Sequence, residues 1–312
     1  MDTLIYNPSK KSIAFWRNGL IALLALVMLQ ACDDDDGPTN PPDTTGNIAE
    51  VASSDDNFST LVSALTDAGL VATLEGDGPF TVFAPTNDAF AKLPDGLLAS
   101  LSNEQLVEIL SYHVVGAEIA SGDLQSEQTV EALAGGELFV TANGGVTVND
   151  AASVITADVE ASNGIIHAID TVLLPDSYQT VVGIIAKRYG LQALENAVVQ
   201  AELAGTLSGD GPFTVFAPSD AAFENVDLSG LSQEELKAIL TYHVLPQEVL
   251  SADVQSGTVE TVNGATIDIQ VDSNGGVTLT DQAGNTSSVT TVDLQGTNGV
   301  VHIIDGVLLP AE

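Results

Sequence analysis

All four histidines of the chain fall into a twofold pattern, His113 with His243 and His167 with His302, which makes them the first place to look for chemistry. A metal would need them clustered with Asp or Glu at ligand spacing, and neither copy offers that. His113 follows Leu106, Ile109 and Leu110 at i, i+3, i+4 and i+7, and His243 follows Leu236, Ile239 and Leu240 in the same way. Both therefore continue an apolar helix face and point inward. Their expected role is structural, with Asp88 or Asn87 as the partner of His113 and Asp220 as that of His243. His167 and His302 lie between aliphatic residues at alternating positions and are also expected to be structural.

The other reactive groups are equally uncommitted. With 43 Asp and Glu in 312 residues, any two carboxylates can be paired as a hydrolase's acid and base, and that abundance removes the information. No Gly-x-Ser-x-Gly elbow, phosphate loop or metalloprotease helix is present. The Gly76-Asp77-Gly78-Pro79 turn is followed by Pro and a strand, where a nucleotide loop needs a helix N-terminus. No cofactor, metal or catalytic residue is expected, and the chain is read as not an enzyme.

The elements that hold these residues come twice. Gly76 to Pro85, GDGPFTVFAP, returns unchanged as Gly209 to Pro218, 133 positions later. A period of that size is a domain, not a solenoid unit. The boundaries read as 1–31 export signal, 32–46 tether, 47–176 first domain and 177–312 second domain. Each domain opens with a helix, capped at Ser54 or Asp55 and stopped at Gly69 in the first copy and spanning Tyr178 to Tyr189 in the second. The decamer supplies a turn and a short strand, and Thr86-Asn87-Asp88 or Ser219-Asp220 caps a short helix. Ser102 to Gln105 and Ser232 to Glu235 form capping boxes before the histidine-bearing helices. Alternating strands with Asn-Gly and Gly-Gly turns follow. Asn163-Gly164-Ile165-Ile166-His167 and Asn298-Gly299-Val300-Val301-His302 open the closing strands. The junction at Asp176-Ser177 is a few residues long, so the domains are expected to sit at a restricted angle.

Lys10, Lys11 and Arg17 precede an apolar run from Leu20 to Leu29, too short to span a bilayer, which needs about 20 residues. Leu29-Gln30-Ala31-Cys32 resembles a bacterial lipobox, which implies cleavage before Cys32 and attachment of lipid to it; an ordinary signal peptide or uncleaved anchor is the alternative. Cys32 is the single cysteine, so no intrachain disulfide forms. Asp33 to Asp36 and the Pro- and Gly-rich stretch to Gly46 read as a solvated tether. The Asp run resembles surface-export signals of some lipoproteins and inner-membrane retention signals of others, and both readings stand. It lacks the alternating spacing of a calcium loop.

Beyond residue 31 four basic residues face 42 acidic ones. Such a surface repels nucleic acid and anionic lipid, so contact with a membrane is expected through the lipid at Cys32 alone.

Taken together, the Thr-Val-Phe-Ala-Pro strand with its capped helix, the Tyr-His pair and the closing Asn-Gly-(Ile/Val)-(Ile/Val)-His strand, each in order in both copies, resemble the fasciclin domain. The resemblance covers about residues 47–312. It implies an α/β (α+β) fold, a β-wedge of short strands flanked by small helices, occurring twice. It also implies adhesion or contact with extracellular matrix, through a surface protein or polysaccharide partner and without catalysis; a carrier of a carotenoid-like apolar ligand or a glycan is the alternative. In animal relatives integrin contact has been assigned to an Asp-Ile pair before the closing strand and to the Tyr-His region. The matching positions are Asp158-Val159 and Asp293-Leu294, with Tyr112 and Tyr242 as further contact candidates.

Overall fold

The computed structural model describes residues 46–94, 96–224, 226 and 230–311. The expected export signal, the expected lipid attachment at Cys32 and the expected tether up to residue 45 lie outside the described residues. No described helix is long and apolar enough to cross a membrane.

The first repeat contains α1 (Ile48–Ser54), α2 (Ser59–Ala68), α3 (Val71–Leu74), β1 (Phe80–Pro85), α4 (Asn87–Ala91), α5 (Leu97–Ser100), α6 (Asn103–Tyr112), β2 (Val114–Val115), β3 (Glu127–Glu131), β4 (Glu137–Thr141), β5 (Thr147–Val148), β6 (Ala152–Ala161) and β7 (Gly164–Ile169). The second contains α7 (Val181–Ala186), α8 (Gln192–Gln200), α9 (Ala204–Leu207), β8 (Phe213–Pro218), α10 (Asp220–Phe223), α11 (Gln233–Tyr242), β9 (Val244–Leu245), β10 (Gly257–Glu260), β11 (Thr266–Val271), β12 (Val277–Thr280), β13 (Thr286–Gly296) and β14 (Gly299–Ile304). Each repeat forms a seven-stranded sheet, in the order β2-β1-β7-β6-β5-β4-β3 and its equivalent β9-β8-β14-β13-β12-β11-β10. Only β1 with β7, and β8 with β14, run parallel; the other pairs are antiparallel. A bridge from Val115 to Ala132 brings one edge of the first sheet back towards the other, which makes the wedge.

Local chemistry sets the helix ends. Asn47 and Glu50 make a capping box for α1, as Ser102 with Gln105 do for α6 and Ser232 with Glu235 for α11. Gly69 ends α2 in the left-handed region at φ +71°. The expected single helix from Tyr178 to Tyr189 is instead broken. Asp176–Tyr178 and Tyr189–Leu191 are 3-10 turns, and Thr180 caps α7 by accepting from the Gly183 N–H. The break lets Lys187, Arg188 and Tyr189 leave the helix and reach the first repeat.

Each repeat has two cores, one on either face of the strand that follows its Gly-Asp-Gly-Pro turn, β1 or β8. Val82 and Ala84 of β1 pack with Phe58, Leu61, Leu65 and Ile109 from the helices, while Phe83 packs with Leu138, Val140 and Ile169 inside the wedge. The helical side is tied to the sheet by Asn163, at the turn into β7. Its Oδ1 accepts from the Ile48 N–H at 2.9 Å, and its Nδ2 donates to Leu74 O and Gly76 O, both at 2.8 Å. Asn298 does the same with Val181, Leu207 and Gly209. One amide thus joins the first helix, the turn before β1 and the closing strand.

Candidate functional site

His113 and His243 sit where their helices hand over to β2 and β9. The His113 Nδ1–H donates to Ile109 O at 2.7 Å, and its Nε2 accepts from the Leu173 N–H at 2.9 Å. His243 repeats this with Ile239 O and the Leu308 N–H. Because a backbone N–H can only donate, the accepting nitrogen and hence the tautomer are fixed. Burial pushes both imidazoles down to about 4, against the pull of the carbonyl bond. The rings are neutral clamps, and they are not bonded to Asp88, Asn87 or Asp220.

That expectation is corrected by what the caps do. Asp88 is exposed, and α4 is capped by Thr86. Asn87 Oδ1 accepts from the Thr60 N–H, and its repeat equivalent Asp220 accepts from the Ala193 N–H. Both side chains satisfy an orphan donor at the start of the neighbouring helix, α2 or α8.

The strand histidines hold a bulge. Between the pairs Thr156–Ala168 and Val159–Ile166 the β6 strand carries one extra residue. There Asp158 turns into the left-handed region at φ +56°, and Asp293 does so at +59° in β13, a conformation that Asp tolerates better than most residues. The displaced Asp158 N–H donates to His167 Nδ1 at 3.2 Å, while the His167 Nε2–H donates to Ile119 O at 2.9 Å. His302 makes the same pair of bonds with the Asp293 N–H and Val249 O.

The freed carboxylate is then fixed by a serine. Asp158 accepts from the Ser121 N–H at 2.8 Å and from the Ser121 hydroxyl. Asp293 accepts from the Ser251 N–H at 2.8 Å and from the Ser251 hydroxyl. The Ser121 bonds hold the exposed Asp158 carboxyl below its ordinary range. For Asp293 burial acts to raise it and is outweighed by the Ser251 bonds, with the same net direction. Ser, Asp and His are thus adjacent in both repeats, yet the arrangement cannot work as an acyl-transfer triad. A triad needs the serine hydroxyl on a histidine nitrogen; here both ring nitrogens are engaged by backbone groups and the serine donates to the carboxylate. The cluster presents an ionised oxygen pair on a rigid strand.

The two bulges differ in their surroundings. Beside Asp158 lies an open cleft of about 480 Å³ lined in part by Val51, Phe58, Ile155 and Val159, and Ile155 is 56% exposed. Asp293 and Leu294 instead border a hollow shared with Glu108, Asp176, Ser177 and Lys187 at the junction between repeats. Val159 and Leu294 both pack partly against the cores; in the first pair the acid is the exposed member, whereas in the second both residues are half-buried.

Tyr112 and Tyr242 require a larger correction, because they are 1% and 0% exposed and cannot contact a partner. The Tyr112 hydroxyl donates to Glu137 O at 2.6 Å and accepts from Asn149 Nδ2 and Lys187 Nζ. Burial raises its pKa. The Tyr242 hydroxyl donates to Thr266 O and accepts from the Gln282 N–H. Each tyrosine spans the wedge core. Among the described residues no group of three or more His, Cys, Asp or Glu is placed to hold a metal.

Three comparisons bear on this geometry. The family model described as the Fasciclin domain matches residues 56–175 and 190–310. Protein sll1483 of Synechocystis is 52% identical over 138 residues, covering 43% of this chain and 76% of its own. The cell surface glycolipoprotein MPB83 of Mycobacterium bovis is 37% identical over 150 residues, 44% of this chain and 66% of its own. Among solved structures, a FAS1 domain pair from the insect cell adhesion molecule fasciclin I superposes with a TM-score of 0.54 at 20% identity, over 81% of this chain and 97% of that one. That likeness speaks to the fold alone.

Proposed function

Since this chain belongs to the Fasciclin domain family and carries that domain twice, we propose that it is an exported, lipid-anchored surface protein that mediates adhesion to matrix or to neighbouring cells. The observation that carries this reading is the His-fixed bulge. It holds the exposed Asp158 carboxylate on the sheet, with every nearby histidine nitrogen already committed to backbone, while the next residue, Val159, lines an open cleft of mixed polar and apolar character. Such a surface suits recognition by a partner that brings a cation or hydrogen-bond donors next to an apolar group, from a matrix protein or a polysaccharide. The basic and apolar leader ending at Cys32 supports export and anchoring. The name of the MPB83 relative, a cell surface glycolipoprotein, agrees with that placement.

Deleting the gene in its host is expected to lower attachment or biofilm formation by at least severalfold, with recovery when the chain is supplied in trans. Unchanged attachment on every surface tried would sink this reading. The volume of the cleft falls in the range of small-molecule sites and favours one alternative, capture of a carotenoid-like apolar ligand or a glycan. A coloured or mass-detectable compound co-purifying from the native host would promote it.

A further inference from the structure

We infer that Lys187-Arg188-Tyr189 is a built latch that locks the two repeats into one rigid body, so that the Asp158 and Asp293 bulges are presented at a fixed separation. Two of the four basic residues beyond residue 31 are spent here, and they are only 5% and 6% exposed. Lys187 Nζ reaches Asp176 and lies 3.1 Å from the Tyr112 hydroxyl. Arg188 Nη2 lies 2.7 Å from Asp176 Oδ2, and Nη1 donates to Ile184 O at 2.7 Å. The Arg188 guanidinium sits 5.1 Å from the centre of the Phe139 ring. Tyr189 meets the same ring edge-on at 5.6 Å, and its hydroxyl bonds to Thr129 of the edge strand β3. The second repeat thus inserts a cationic and aromatic plug into a socket on the first, made of Tyr112, Thr129, Phe139 and Asp176.

The internal duplication supplies a control. At the decamer's offset of 133, Lys187-Arg188-Tyr189 corresponds to Ser54-Asp55-Asp56, which is exposed and in which Asp55 merely caps a turn. The tyrosine hydroxyls bond to Glu137 O and Thr266 O, so Phe139 corresponds to Asp268, two residues on in each strand. Asp268 is exposed. After the shared Leu-Leu-Pro, Asp176 corresponds to Ala311. The fold therefore forms without the plug and without Phe139 and Asp176 of the socket, although Tyr242 and Thr258 keep the places of Tyr112 and Thr129; the full latch is present only where the two repeats meet. A buried ion pair adds little net stability but penalises any geometry that separates it, which is what an orientation lock requires.

The test uses the full chain with Cys32→Ser, nitroxide labels on Ser63→Cys and Gln200→Cys, and the distance distribution between them. Both label sites are exposed. The parent should give a single narrow distribution. Lys187→Ser/Arg188→Asp, which installs the first repeat's own residues, should at least double its width while circular dichroism stays unchanged. Phe139→Asp, made from the socket side, should do the same if the first variant folds poorly. A broad distribution in the parent, or an unchanged width in the folded variants, would overturn the latch.

Discussion

Gly164→Ala is expected to unfold the first repeat, and Gly299→Ala the second. Gly164 pairs with Phe80 at the start of the parallel β1–β7 ladder, and a Cβ there would lie 2.0 Å from Phe80 O. The obstacle is backbone, not a movable side-chain end, and the φ of +153° disfavours an L side chain independently. Relief requires the two strands to part. That withdraws Asn163, next in the chain, from Ile48, Leu74 and Gly76, so the closing strand, the first helix and the turn come loose together. Losses from several of the mechanisms behind exceptional destabilisation add here, so a cost above about 4 kcal/mol is expected, a large share of a typical domain's stability. Denaturant titration reads it directly. A loss below about 1 kcal/mol would mean that the parallel pair is not the keystone of the domain.

A second large effect is acid sensitivity from His113 and His243. Burial holds each folded imidazole at about 4, whereas the unfolded chain titrates near 6.5. Between those values the unfolded state takes up protons that the folded state refuses. Stability that is full above about pH 6.5 is therefore lost as pH falls towards 4, on the order of 3 kcal/mol for each histidine. Protonation would also set an Nε2–H against the Leu173 or Leu308 N–H, which gives the same sign from geometry alone. The carboxylates titrate over an overlapping range, so the useful quantity is the difference between the parent and His113→Gln. The parent's advantage at pH 7 should shrink by about 3 kcal/mol at pH 4. Parallel profiles would show that His113 is protonated at little cost, contrary to its two backbone bonds.

Much of this was legible in the residues. The GDGPFTVFAP repeat, the capping boxes and the helical register of His113 and His243 led directly to the observed elements. The burial of both tyrosines is hidden from the sequence for a definite reason. On α6 Tyr112 lies opposite the Leu106, Ile109 and Leu110 face, and one core would leave that side in water. A second core on the far face of β1 buries it as well, and periodicity alone does not reveal two cores. Asn163 reads in sequence as a turn residue, because its three partners lie in segments more than 80 positions away. The bulge at Asp158 depends on a bond from its own N–H to a histidine on the next strand, which no pattern encodes. The latch did leave a signal. Lys187-Arg188 stands where the first copy has Ser54-Asp55, a conspicuous exchange in a chain with so few basic residues.

Adhesion through the Asp158 face is tested most directly by coating inert beads with the full chain and measuring how firmly they hold to matrix isolated from the native host, beside beads carrying Asp158→Ala. Parent beads are expected to hold and the variant beads to release at much lower shear, compared at a temperature where both are folded, since the variant loses the Ser121 bonds and the left-handed tolerance of Asp and melts somewhat lower. Parent beads that hold no better than bare ones, or variant beads that hold as firmly as the parent, would contradict the account.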